Sequence, residues 1–185
     1  MTFEEKTIDS EYVFKGKLIK VRRDKVTTVD GESIREIVEH SGGVVIAALK
    51  ENGNMLMERQ FRKPVEGIVF EAPAGKIDPG EEPVDAALRE LKEETGYTAR
   101  KTEFLTKTYP SVGFSAEILY IYLCTELEAG ETDFDDNEAI DLEEHSIDEL
   151  YDMVIAGEII DAKTQIAVMM VKGMIDKGEL ADYLD

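Results

Sequence analysis

Glu81, Arg89, Glu90, Glu93 and Glu94 bring four carboxylates and a guanidinium within fourteen residues of sequence, a set suited to holding a cation. On a helix Glu90 and Glu94 fall one turn apart on one face, with Glu93 beside them. Like charges at that spacing destabilise an isolated helix by roughly 0.2–0.5 kcal/mol per pair, so the cluster calls for a neutralising partner. A hard divalent cation fits, because Mg2+ takes oxygen ligands, keeps several waters and bridges carboxylates to substrate phosphates. Glycines at positions 75 and 80 let the preceding loop bend tightly, and a backbone carbonyl such as that of Ala74 can then approach the same ion. Arg89 projects differently from Glu90 and can lock the loop carboxylate of Glu81 in place behind the ligands. Taken alone, three glutamates on a helix are most often a solvated face.

The elements that must position these groups are legible in outline. The helix carrying them begins near Pro83, tolerated in a first helical turn, and stops at Gly96, a good C-terminal cap. Val84, Ala87, Leu88, Leu91 and Thr95 form its apolar stripe, and the glutamates lie away from it. Ahead of the helix, the stretch from Arg62 to Glu82 carries most of the prolines and many glycines and reads as a long irregular loop. Leu18 to Val21, Lys25 to Val29 and Ile34 to Val38 read as strands of a small antiparallel sheet, with Asp30-Gly31 as a turn pair. Val44 to Leu49 is apolar throughout and suits a strand buried on both faces. Asn52-Gly53-Asn54 separates it from a second strand, Met55 to Phe61, and Ile118 to Cys124 is a third buried candidate. An acidic loop, Glu131 to Asp141, follows. Two helices close the chain: Ser146-Ile147-Asp148-Glu149 has the form of a capping box, and Asp161 caps a longer helix running through Met174.

Composition bounds the partners. The 185 residues carry 41 Asp and Glu against 21 Lys and Arg, a formal net charge of -20 that repels nucleic acid. A chain this acidic that handles phosphates needs divalent cations to screen them. No apolar run approaches a membrane span, and Met1-Thr2-Phe3-Glu4-Glu5 is acidic where a secretory signal is basic, so a cytoplasmic location with no membrane partner is expected. Cys124, the only cysteine, lies in an apolar stretch and reads as a buried thiol.

The segment from Gly75 to Tyr97 contains every fixed position of the Nudix box, G-x5-E-x7-R-E-U-x-E-E-x-G-U with U apolar, and on these residues the chain resembles the Nudix hydrolases. Tyr97 is an aromatic in the last place. The resemblance extends over nearly the whole chain to the ADP-ribose pyrophosphatase branch, through Arg35-Glu36-Ile37-Val38, Gln60-Phe61-Arg62-Lys63-Pro64, Glu71-Ala72-Pro73-Ala74-Gly75 and Gly113-Phe114-Ser115-Ala116-Glu117. It implies an α/β fold, the Nudix α/β/α sandwich with a mixed sheet. A small N-terminal antiparallel β subdomain over residues 1–41 would precede a hydrolase domain over 42–185. It further implies a homodimer in which the N-terminal sheets cross between subunits.

The implied reaction is metal-dependent hydrolysis of ADP-ribose to AMP and ribose 5-phosphate. Mg2+, or Mn2+ in its place, would be held by Glu90, Glu94, Glu93 and the Ala74 carbonyl. Arg35 and Arg62 would hold substrate phosphates, with Glu117 also among the substrate-binding residues. A carboxylate on the acidic loop Asp133-Phe134-Asp135-Asp136-Asn137-Glu138 would be the base, with Glu138 the first candidate and Asp136 the second. Where the branch carries a marker proline beyond the box, this chain has Val112, with Pro110 just before it. A broader nucleoside diphosphate sugar or dinucleotide pyrophosphatase therefore stays open. So does a non-catalytic nucleotide sensor, against which the intact glutamate set argues.

Other residues have plainer readings. His40 and His145 lack a second histidine or cysteine at ligand spacing and are read as surface or packing residues. Ser111 and Ser115 flank a glycine without the strand, elbow and helix order of a serine hydrolase. Met169, Met170 and Met174 suit core packing. Phe61 is first a core residue and second a stacking partner for adenine.

Overall fold

A strand that is apolar without a break needs cover on both faces. The computed structural model describes residues 2–132 and 139–184 and gives β4 (Gly43–Ala48) that cover. The chain divides into two compact units, Met1–Gly42 with Tyr109–Ile118, and Gly43–Thr108 with Leu119–Asp185.

In the second unit, β4 lies inside a four-stranded mixed sheet of order β7-β4-β9-β8, with β7 Ala74–Lys76, β8 Thr98–Thr108 and β9 Leu119–Glu128. β4 runs parallel to β9, from Gly43 opposite Leu119 to Ala48 opposite Cys124, while the β4–β7 and β8–β9 pairs are antiparallel. Alternate residues of β4 serve opposite faces. Val44, Ile46 and Ala48 pack with Tyr122 and Cys124 against Ala86, Ala87 and Leu91 of α1 (Pro83–Thr95). Val45, Ala47 and Leu49 pack with Ile121 and Leu123 against the other helices, through Ile147 and Leu150 of α2 (Ile147–Ala156) and Ala167, Val168 and Val171 of α3 (Ala162–Asp176). The result is an α/β/α sandwich. Both later helices are capped as the sequence implies: Ser146 Oγ accepts from the Glu149 amide at 3.2 Å and Asp161 Oδ2 from the Thr164 amide at 3.0 Å.

A second, antiparallel sheet of order β10-β5-β6 completes this unit, with β5 Asn54–Arg62, β6 Gly67–Glu71 and β10 Ile140–Ser146. The sequence reading of Arg62 to Glu82 as irregular is corrected here. Gly67–Glu71 pairs with β5, burying Val69 and Phe70, and Ala74–Lys76 pairs with β4; both strands are short and hemmed by glycine and proline. The remaining residues form a single 3-10 turn at Lys63–Val65 and turns between and after the strands, including Gly80 at φ +86°, a left-handed conformation that glycine adopts without strain.

The first unit holds a three-stranded antiparallel sheet, β1 Thr7–Lys15, β2 Lys20–Thr28 and β3 Gly31–Glu39. Segment 109–118, which the sequence reading left with the larger part, lies along β3: the Val38 amide donates to the Phe114 carbonyl at 2.8 Å and the Ala116 amide to the Val38 carbonyl at 2.9 Å. Asp24, 2% exposed, accepts from Ser10 Oγ at 2.6 Å and from Arg22 Nε at 3.1 Å. Leu18 to Val21 and Lys25 to Val29 prove to be parts of one strand with its flanking residues, and β1 was legible only at its end, from about Val13, since none of its residues is buried. Among the described residues no helix is long and apolar enough to cross a membrane.

Candidate active site

Helix α1 presents the acidic groups because its apolar residues fix its rotation. Ala86, Ala87 and Leu91 are fully buried, Pro83 starts the helix, and Gly96 closes it at φ 76° with its amide on the Lys92 carbonyl. The glutamate face then turns toward β7. A Cβ at Gly75 would sit 1.8 Å from Cδ of Glu90 and 2.0 and 2.3 Å from its oxygens. Glycine at 75 is therefore the seat of the Glu90 carboxylate. One residue earlier on the same strand, the Ala74 amide donates to Oε2 of Glu94 at 3.0 Å. Glu94 is only 3% exposed, so the sequence reading that placed it away from the buried side of the helix is corrected: it points into the sandwich, not into solvent.

Arg89 ties the rest together. Nε and Nη2 grip the two oxygens of Glu81 at 2.9 and 3.0 Å, and Nη2 also reaches the Lys76 carbonyl at 3.0 Å. Nη1 donates to Oε1 of Glu90 at 2.8 Å and to Oε2 of Glu93 at 2.9 Å. Arg89 thus engages three of the box carboxylates, where its sequence reading gave it Glu81 alone. The Asp78 amide adds a hydrogen bond to Glu81 at 2.9 Å. The Arg89 hydrogen bonds and this amide hold the Glu81 carboxyl below the usual range, and Glu81 foremost, with Glu90 and Glu93, raises the Arg89 guanidinium despite partial burial.

One guanidinium among four carboxylates leaves a surplus of negative charge beside β7. The donor set is all hard oxygen: Glu90, Glu93, Glu94 and the Ala74 backbone. Mg2+ asks for one or two carboxylates and retained waters rather than a closed protein cage, so these residues fit it. Among the described residues no three acidic, cysteine or histidine side chains already converge as a ligand cage. The reason is geometric, since Arg89 draws Glu90 and Glu93 to itself and the Ala74 amide draws Glu94.

Arg62 ends β5 with its Nε on Oε1 of Glu71 at 2.6 Å. Burial works most strongly against its charge, but Glu71, with Glu94 and Asp161, outweighs it and the guanidinium is raised. Glu71 is 1% exposed and its other oxygen takes Nζ of Lys163. Sequence reasoning missed the contacts of Glu71 with Arg62 and Lys163. The signal was a glutamate closing the apolar run Ile68 to Phe70, where burial forces a charged partner.

Phe61 is 57% exposed, which overturns its first reading as a core residue; it pairs across the hairpin with exposed Ile68. Arg35 and Glu117 belong to the first unit. There Arg35 Nε meets Oε2 of Glu5 at 2.9 Å, and Glu117 Oε1 lies 3.5 Å from Nδ1 of His40. Because His40 Nδ1 accepts from the Gly42 amide at 3.1 Å, it does not donate to Glu117 in that tautomer. Glu138 and Asp136 lie outside the described residues.

Comparison with known proteins agrees with this geometry. Residues 39–167 match the family model of the NUDIX domain, and residues 5–38 match that of the nucleoside diphosphate sugar hydrolase N-terminal domain. An ADP-ribose pyrophosphatase of Bacillus subtilis is 41% identical over 174 residues, covering 92% of this chain and 94% of that protein. A methanol dehydrogenase activator of Bacillus methanolicus is 40% identical over 173 residues, with the same coverage of 92% and 94%. An ADP-ribose pyrophosphatase of Mycobacterium tuberculosis is 37% identical over 169 residues, covering 89% of this chain and 82% of that protein. Among solved structures, an ADP compounds hydrolase superposes with a TM-score of 0.84 at 21% identity, over 96% of this chain and 98% of that one, which speaks for the fold. With the box glutamates seated on β7 and the family model spanning most of the chain, this protein belongs to the Nudix hydrolase family.

Proposed function

We propose that the enzyme hydrolyses the diphosphate of ADP-ribose to AMP and ribose 5-phosphate. The observation that carries this reading is the placement of two carboxylates, Glu90 and Glu94, against consecutive residues of one strand, Gly75 and Ala74. The activity printed for the Bacillus subtilis and Mycobacterium tuberculosis relatives supports the choice of substrate.

Glu90, Glu94, Glu93 and the Ala74 carbonyl would hold Mg2+, with Mn2+ as a substitute. Bound there, the cation neutralises the diphosphate and acidifies the attacking water. The water oxygen bonds to one phosphorus and the bridging P–O bond breaks, its electron pair leaving on the departing phosphate oxygen. Glu138 takes the proton of the water. Arg89 keeps Glu81 and the loop before the helix in register behind the metal-binding face. Arg62 and Arg35 bind phosphate oxygens, with the forked donors that arginine has and lysine lacks. Phe61 stacks on the adenine, which its exposure allows, and Glu117 contacts the substrate.

The working form is a homodimer with exchanged N-terminal sheets, residues 1–41 serving dimerisation and 42–185 hydrolysis. Exposed Val13, Phe14 and Ile34 on so small a sheet support it, because such a sheet is marginal alone. A cytoplasmic location agrees with the lone thiol of Cys124, which burial pushes up to about 11 and so keeps unreactive. A second reading, action on a wider set of nucleoside diphosphate sugars or dinucleotides, is favoured by Val112 at the marker-proline position. A turnover panel of ADP-ribose, sugar nucleotides, NADH and diadenosine polyphosphates with Mg2+ decides. The account expects ADP-ribose to have the highest kcat/KM, and a higher value for any other member overturns it.

A further inference from the structure

The buried ion cluster behind Arg62 is larger than an arginine at a site edge requires. Oε1 of Glu71 accepts from Arg62 Nε at 2.6 Å, and Oε2 takes Lys163 Nζ. The Glu71 side chain is 2% exposed, Lys163 15% and Arg62 39%, so exposure rises from the carboxylate outward to the guanidinium. Lys163 is held in turn by Oδ2 of Asp161 at 3.0 Å. That same oxygen accepts from Thr164 Oγ1 at 2.6 Å, and Thr164 Oγ1 accepts from the Ala72 amide at 2.8 Å. The first turn of α3 is thereby fastened to the residue that follows Glu71.

The division of contacts is informative. A carboxylate this buried is costly unless both oxygens are satisfied. Lys163 satisfies Oε2, which leaves Oε1 for Nε of Arg62. Held to Glu71 through Nε, the 39% exposed Arg62 side chain keeps its two Nη groups as the fork that grips phosphate. A long side chain ordered before the ligand arrives loses less entropy on binding.

We propose that Glu71 and Lys163 are positioning residues for substrate, acting through Arg62 by presenting its Nη groups to the diphosphate. This rests on the assignment of Arg62 to substrate phosphate made above. The test uses Glu71→Gln, which keeps the shape, Lys163→Met, Lys163→Arg, Arg62→Ala and the double variant Glu71→Gln/Arg62→Ala. KM and kcat are measured on ADP-ribose. The Kd of ADP, which carries the same diphosphate, is measured by calorimetry in Mg2+, and thermal unfolding shows which variants fold.

Glu71→Gln and Lys163→Met should each raise KM and Kd by about tenfold while kcat stays within about threefold, and Lys163→Arg should recover most of the loss. In the Arg62→Ala background Glu71→Gln should add almost nothing, because the two act as one unit. Additive effects, an unchanged Kd in folded Glu71→Gln, or an unchanged Kd in Arg62→Ala each overturn the proposal. If Lys163→Met does not fold, Glu71→Gln and the cycle with Arg62 decide alone. A wild type that binds ADP but leaves ADP-ribose intact contradicts the substrate reading, and the calorimetric cycle still decides this one.

Discussion

Replacing Gly75 by alanine adds one carbon where the site has no room. That carbon would lie 1.8 Å from Cδ of Glu90 and 2.0 Å from its nearer oxygen. Ordinary contact needs about 3.5 Å between carbons, so the carboxylate must move by roughly 1.7 Å. Because Gly75 does not have a positive φ, the new side chain brings no backbone strain of its own. The Glu90 side chain is flexible, so rotating it away costs stability only about 1–3 kcal/mol, as for a small overpacking change. Catalysis has less tolerance, since a displacement of about 1 Å in a positioned group costs about a hundredfold. Gly75→Ala should therefore lose at least about a hundredfold in kcat/KM while remaining folded. Initial rates on ADP-ribose at saturating Mg2+, set beside thermal unfolding, check this. A folded variant with near wild-type kcat/KM would show that Glu90 does not work from the position seen here.

Glu138→Gln should lower kcat by at least about a hundredfold with little change in substrate affinity, and Asp136→Asn by much less; the reverse order in paired kinetics moves the base to Asp136. Deleting residues 1–40 should abolish both dimerisation and turnover, and a monomer by light scattering that stays active at assay concentration refutes the exchanged-sheet dimer. His145 gives a pH signature: its Nε2 meets Glu143 Oε2 at 2.9 Å and Nδ1 meets Glu149 Oε2 at 3.2 Å. Burial opposes the charged ring, but these two carboxylates outweigh it and the histidine is raised. Stability from this contact is then fully present below about pH 6.5, the unfolded value, and is lost as pH rises through the higher folded value. His145→Gln should lower Tm more at about pH 5.5 than at about pH 9, and an equal loss at both would contradict the ion-pair account.

The sandwich was legible where burial imposes a pattern. Val44 to Leu49 announced a strand covered on both sides, and Ser146 and Asp161 announced two helix starts by the one property a cap requires, a side-chain acceptor. The edges were scarcely legible, because β1 buries nothing and leaves no alternation to read, and β7 is three residues between a proline and a turn. At the site, spacing alone puts Glu90 and Glu94 on one face, but not the burial of Glu94. That burial follows from the Ala74 amide, which approaches only because β7 pairs with β4. The Glu71–Lys163 contact joins residues on β6 and at the first turn of α3, and no local pattern connects them. Tertiary pairing of this kind is set by the packed sandwich as a whole, so it becomes visible only with the fold.

The central claim is that the glutamates of α1 form a divalent-metal site for diphosphate hydrolysis, and Glu94→Gln tests it most directly. The substitution removes charge while leaving an oxygen that can still accept from the Ala74 amide, so the helix and strand keep their contact. ADP-ribose turnover should be measured for the wild type and for Glu94→Gln, each in chelator and after Mg2+ is restored. The account predicts wild-type turnover that vanishes in chelator and returns with Mg2+, and a folded Glu94→Gln that loses most turnover in both conditions. Full wild-type activity in excess chelator, or wild-type rates in Glu94→Gln, would contradict it.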